Sequence, residues 1–83
     1  MYKHENGVTV YETLEELLNA DIDFITECDD SYYIRLKPES YYDNSVWVVN
    51  KHTLKVSFML FTQYFDIMDK ATPVNPATLK RVS

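Results

Sequence analysis

Acidic side chains are the most concentrated reactive groups of this chain. Glu12, Glu15, Glu16, Asp21, Asp23, Glu27, Asp29 and Asp30 fall within positions 12–30, a stretch that holds no lysine or arginine. Carboxylates at this density can steer a cationic partner, or, if a pair is held in a partly dry cleft, exchange protons as general acid and base. The second use needs a raised pKa in a cavity, which small sheet-and-helix domains seldom build. The first needs only the field, so the acids are expected to act in binding, against a background in which they are simply solvated faces. Cys28, His4 and His52 are the only thiol and imidazole groups. They show neither Cys-x-x-Cys nor His-x-x-x-His spacing, which argues against a structural zinc site. Asp21-x-Asp23 runs on into Phe24, Ile25 and Thr26 without the turn glycine of a calcium loop. Cys28 is expected to be a small buried hydrophobe, and His52 an exposed turn residue. No catalytic, cofactor-binding or metal-ligating residue is assigned.

Gly7 is the only glycine, which removes the phosphate cradles and the G-x-S-x-G elbow, since both need backbone where a Cβ would clash. Seven tyrosines include the doublets Tyr32-Tyr33 and Tyr41-Tyr42. Tyrosine is enriched at interfaces because it covers area with little rotamer loss, although it is equally a good strand former. Tyr33, Tyr41 and Tyr42 therefore join the eight acids as the expected partner-binding set. Stacking on bases is the other use of such rings, but the neighbouring negative field repels phosphate. Lys51, Lys55, Lys70, Lys80 and Arg81 are too sparse for a phosphate track, so no direct nucleic-acid binding is expected.

These residues need elements to hold them. A short strand near 8–11 leads into Thr13-Leu14-Glu15-Glu16, the spacing of a capping box, in which the Thr13 hydroxyl accepts from residue 16 and Glu16 reaches back to the Thr13 amide. A helix follows to about Ala20, with Leu14, Leu17 and Leu18 as its apolar stripe. Alternation from Asp23 to Leu36 across Asp29-Asp30-Ser31 predicts a β-hairpin, and Pro38 ends it. Residues 39–45 read as a polar, aromatic loop. A second hairpin spans Val46 to Met59. A helical period then returns in Phe61, Tyr64, Phe65 and Met68, and Pro73 and Pro76 stop it. Phe65 is placed in the helix–sheet core, where truncation to alanine should cost about 3–5 kcal/mol.

The resulting expectation is an α+β fold: an antiparallel sheet of four to five strands from two hairpins, with one short N-terminal helix and one longer C-terminal helix packed on it. The domain is set at 1–76 and a short basic tail at 77–83. Val46 and Val48 point away from Trp47 and Val49, yet both sets are apolar, so this hairpin needs cover on both faces. Either the short helix and the tail wrap round, or a second chain does. Residues 46–56 resemble the hairpin with a T-G-x-V turn found in several small bacterial modules, PepSY-like ones among them. Leu54 stands where their glycine would be. The resemblance implies a hairpin and no activity.

The chain has 83 residues and a net charge of −5, enough for one domain. The charge is uneven: residues 1–45 carry eleven acids and three bases, a net −8, whereas 46–83 carry two acids and five bases, a net +3. The apolar run at 56–60, broken by Ser57, is far below the roughly 20 residues of a membrane span. No membrane partner is expected, and the N-terminal residues do not form a secretory signal. A lone cysteine closes no internal disulfide, which points to the cytoplasm. The functional expectation is a small cytoplasmic protein-interaction module, an adaptor or inhibitor with a basic protein partner. Two alternatives stand beside it. One is a phage or mobile-element accessory protein that blocks a nucleic-acid-binding enzyme by charge mimicry. The other is a structural protein that self-associates, as a homodimer, through the second sheet face.

Overall fold

A computed structural model describes residues 2–3, 9–39 and 43–80. The short strands β1 (Tyr2–Lys3) and β2 (Thr9–Val10) form a two-stranded antiparallel ladder. Helix α1 (Leu14–Leu18) leads into β3 (Ile22–Cys28), β4 (Ser31–Leu36), β5 (Ser45–Asn50) and β6 (Val56–Leu60). Helix α2 (Phe61–Met68), strand β7 (Thr72–Pro73) and helix α3 (Pro76–Lys80) follow. The main sheet is antiparallel with order β6-β5-β4-β3-β7. This is the α+β fold expected from the two hairpins. Its fifth strand comes from the segment that stops α2: Thr72 pairs with Glu27 and Pro73 with Thr26. Proline lacks a donor and is tolerated there because β7 is an edge strand.

Both tight turns use a left-handed residue. Asp29, first of the two loop residues between β3 and β4, has φ 54°, a conformation that the short polar side chain of Asp accepts. Leu54, in the β5–β6 turn, has φ 59°. This is the position where the resembling hairpins carry glycine, and a bulky residue with a Cβ strains there.

The pleat sorts the side chains of the sheet into two buried layers. On one face Ile25, Ile34, Leu36, Trp47 and Val49 pack against Leu14, Leu17 and Leu18 of α1 and Leu79 of α3. Leu79 is fully buried, so the tail expected at 77–83 belongs to the core as far as α3; residues 81–83 lie outside the described part. Pro76 opens α3, and the Asn75 side chain accepts from the Ala77 amide at 2.9 Å, satisfying one orphan donor of the first turn. A bulge between Ile22 and Phe24 places Phe24 and Thr26 on the opposite face, with Tyr33, Arg35, Val46 and Val48. Helix α2 follows β6 without a loop, crosses this face and delivers the chain to β7 at the far edge. The second face is thus crossed by α2 from within the chain.

Within α2 the burial differs from the sequence expectation. Tyr64 is 1 % exposed and Phe65 is 51 % exposed. Tyr64 reaches the Thr26 hydroxyl and its ring meets Phe24, Tyr33 and Phe61 at 5.6–6.1 Å. Phe65 leans on Phe61 at 5.1 Å with its outer side in solvent. The apolar stripe of α2 is wider than the contact it makes, and a short helix lying across a twisted sheet presses only its central residue into the core. Tyr64→Ala is therefore expected to cost about 3–5 kcal/mol in urea unfolding, while Phe65→Ala costs below about 1 kcal/mol. Leu54→Gly is expected to stabilise the protein by about 1 kcal/mol in the same assay, because it relieves the left-handed strain.

Candidate functional site

The capping box that opens α1 forms with one change of partner. The Thr13 hydroxyl accepts from the Glu16 amide at 3.2 Å. Glu16 Oε1 takes the Glu12 amide and the Thr13 hydroxyl, each at 3.3 Å, where the Thr13 amide was expected. This holds Glu16 beside the end of β4 and the start of β5. The connection between those strands is fixed by Arg35, which is 7 % exposed. Its guanidinium donates to the carbonyls of Ser45 at 2.7 Å and Asp43 at 2.9 Å, lies 3.8 Å from the Asp43 carboxylate, and covers the Phe61 ring at 5.1 Å. Asp43 in turn accepts from the amides of Glu39 and Ser45 at 3.1 and 3.3 Å. Glu39 clamps Thr9 of β2 through its amide at 2.9 Å and its hydroxyl at 2.7 Å.

These ties enclose a cleft of about 460 Å³ at this end of the sheet, lined by residues that include Tyr11, Glu16, Ala20, Asp21, Leu36, Lys37, Glu39, Asp43 and Trp47. Its aromatic wall is an edge-to-face pair, Tyr11 against Trp47, with centroids 5.5 Å apart at 87°. Its rim carries four carboxylates and one lysine. The field is felt by Tyr11: burial, and then Glu39, Asp21, Asp43 and Glu16, hold its hydroxyl above the ordinary 10.0. The cleft thus combines apolar walls with a concentrated negative potential, a pairing suited to a cationic group on an aliphatic stem.

Of the expected partner-binding residues, Glu16 and Asp21 line this cleft. Glu12 and Glu15 are exposed on and beside α1, and Asp23 is exposed at the bulge of β3. Asp29 and Asp30 sit at the other end of β3, about 23 Å along a seven-residue strand, together with Glu27. At that end the acids meet bases: Lys51 lies 3.5 Å from Glu27 and over the Tyr32 ring at 5.1 Å, and His52 Nε2 lies 3.3 Å from Asp30. The base-free stretch of sequence is therefore two separate clusters, the second partly neutralised by the β5–β6 turn. Tyr33 is on the α2 face, half-buried against Tyr64, and does not share a surface with the cleft. Tyr41 and Tyr42 lie outside the described residues, as does His4.

Cys28 is half-buried at the end of β3 rather than in the core, its thiol 3.9 Å from an Asp29 carboxylate oxygen, and His52 is exposed as expected. Among the described residues no group of three His, Cys, Asp or Glu is placed to hold a metal ion, and no helix is long and apolar enough to cross a membrane. Glu39, Asp43, Tyr11 and Trp47 carry no sequence signal that marks them as parts of one site. Asp43-Asn44-Ser45 does carry a local signal, since Asp bonding the amide two residues on is an Asx turn, but nothing local ties it to α1.

No family model, curated protein or solved structure matches this chain.

The tyrosines give a pH signature. Tyr33, like Tyr11, is raised above 10.0, by burial first and then by Cys28 and Asp29. A hydroxyl that keeps its proton longer in the folded state contributes stability that is complete below the unfolded value of 10.0 and is lost as pH climbs through the folded one. Unfolding free energy is expected to fall as pH rises above about 10, and to fall less in Tyr11→Phe. Urea unfolding along this pH range checks it, with ultraviolet titration of the tyrosinates to confirm late ionisation.

Proposed function

We propose that the protein is a small non-catalytic binding module of the cytoplasm, an adaptor or inhibitor, that receives a basic side chain of a partner protein in the cleft between α1 and the β4–β5 connection. The observation that carries this reading is the joining of an aromatic wall, Tyr11 on Trp47, to a rim bearing Glu16, Asp21, Glu39 and Asp43. An arginine or lysine matches both parts, because its methylene stem can lie along Leu36 and Ala20 while its charged head meets the ring faces and carboxylates. The volume, about 460 Å³, is within the range of ligand clefts and suits one or two side chains rather than a folded surface. The acids at the far turn, partly paired with Lys51 and His52, would add long-range steering and little contact energy.

Trp47 is the only tryptophan and reports on the cleft directly. An arginine-rich peptide is expected to shift its emission on binding, with affinity falling steeply as salt rises. Asp21→Asn, an exposed change at the rim, should weaken binding by about 2–5-fold, corresponding to about 0.5–1 kcal/mol. Absence of any response at low ionic strength would overturn the reading. Binding to a nucleic-acid-binding protein in competition with DNA or RNA, without response to the peptide, would favour charge mimicry in its place.

A further inference from the structure

We propose that β6 is a homodimerisation edge, at which two copies of the chain pair antiparallel about a twofold axis through Ser57. Strand β6 ends the sheet, with β5 as its only neighbour among the described residues. The β5–β6 ladder is bracketed by bonds from the Asn50 amide to the Lys55 carbonyl at 3.1 Å and from the Phe61 amide to the Asn44 carbonyl at 2.6 Å. Antiparallel pairs alternate between bonded and unbonded, so Ser57 and Met59 bond to Val48 and Val46, while Val56 and Phe58 turn their amides and carbonyls outward. Leu60 is already engaged: its amide donates to Gln63 Oε1 at 3.2 Å, and it caps α2.

A second copy fits these four outward groups. With Ser57 on the axis, Val56 faces Phe58 of the other copy and Phe58 faces its Val56, forming four backbone hydrogen bonds without calling on Leu60. The same register sets Leu54 opposite Leu60. Phe58 (61 % exposed), Leu60 (44 %) and Leu54 (37 %) are among the exposed large hydrophobics of the protein, and on one face of the junction they would cover each other. Leu54 stays in a left-handed conformation that glycine would adopt without strain, which is explained if its side chain is needed at this edge.

The register is self-matching: Val56 meets Phe58 twice, and Lys55 faces Met59 of the other copy, so no two lysines oppose each other. Residues 46–65 contain no Asp or Glu, so two β6 edges meet without opposing carboxylates although each chain carries a net −5. The remaining repulsion acts between distant acids and is screened by salt. Dimerisation through β6 therefore strengthens with ionic strength, the opposite of peptide binding in the acidic cleft, and the two can fail independently. The junction is short, at or below the low end of stable interfaces, so dissociation constants on the order of 100 µM are expected.

Sedimentation equilibrium on the full chain tests this. A monomer–dimer equilibrium that tightens with salt and is lost in Phe58→Lys is the expected result; a monomer persisting to about 1 mM, or a dimer that Phe58→Lys leaves intact, would overturn it. Because Phe58 also touches Trp47 at 5.6 Å, circular dichroism must show the variant folded, and a second test avoids that contact altogether. In a Cys28→Ser background, Ser57→Cys is expected to form a disulfide with its own counterpart on mild oxidation, since unbonded antiparallel pairs bring Cα atoms to about 4.5 Å. Lys55→Cys should not, its counterpart lying about 13 Å away in this register. Cross-linking of both variants, or of neither, rules the register out.

Discussion

Strand β5 has apolar side chains on both faces, and it must lose water on both. Val46 and Val49 are fully buried although they point in opposite directions, and Trp47 is nearly so. Each such side chain contributes about 1.5–3 kcal/mol when buried, so leaving either face wet would remove a large part of a small domain's stability. The chain meets this with very little helix. Helix α2 takes one face by leaving β6 without a loop and crossing to β7, while α1 and α3, five residues each, share the other. The sheet order, with consecutive strands adjacent from β3 to β6 and β7 brought back to the opposite edge, follows from that crossing.

The same constraint explains where polar chemistry collects. Strands buried on both faces leave little room for charge along the sheet, and the one cation within it, Arg35, is held by carbonyls and by an aromatic ring rather than by water. A buried guanidinium without such partners would carry a desolvation penalty of several kcal/mol. Arg35 consequently fixes the path of the chain from Asp43 to Ser45, and Asp43 fixes Glu39, which fixes Thr9. The acidic cleft is the space left between this chain of bonds and α1. Among the described residues β6 is an edge strand of the sheet, beside exposed Phe58.

Much of the secondary structure is legible in the sequence because its signals are local. The capping box at Thr13, the alternation through 24–36 and 46–58, and the helical period from Phe61 each arise from residues a few positions apart, and each corresponds to an observed element. The glycine position of the T-G-x-V turn coincides with the left-handed Leu54, a backbone demand that persists without the glycine. Signals were lost where distance in sequence matters. The stripe of α2 shows that Phe61, Tyr64 and Phe65 share a side of the helix, but not which of them the sheet accepts. Thr72–Pro73 reads as a helix stop, and its pairing with β3 depends on where α2 ends in space.

Composition and short-range periodicity carry the antiparallel hairpins, the need to bury both faces of β5, the lack of glycine-built phosphate cradles and the uneven charge. Contacts between distant segments set which helix covers which face, bring Leu79 into the core, and divide the acids of 12–30 between two ends of the sheet. Such contacts also bring Glu39 and Asp43 to Glu16 and Asp21. The reason is geometric: a strand of seven residues separates neighbours in sequence by some 23 Å, while a buried arginine and two clamping carboxylates join segments up to 30 residues apart.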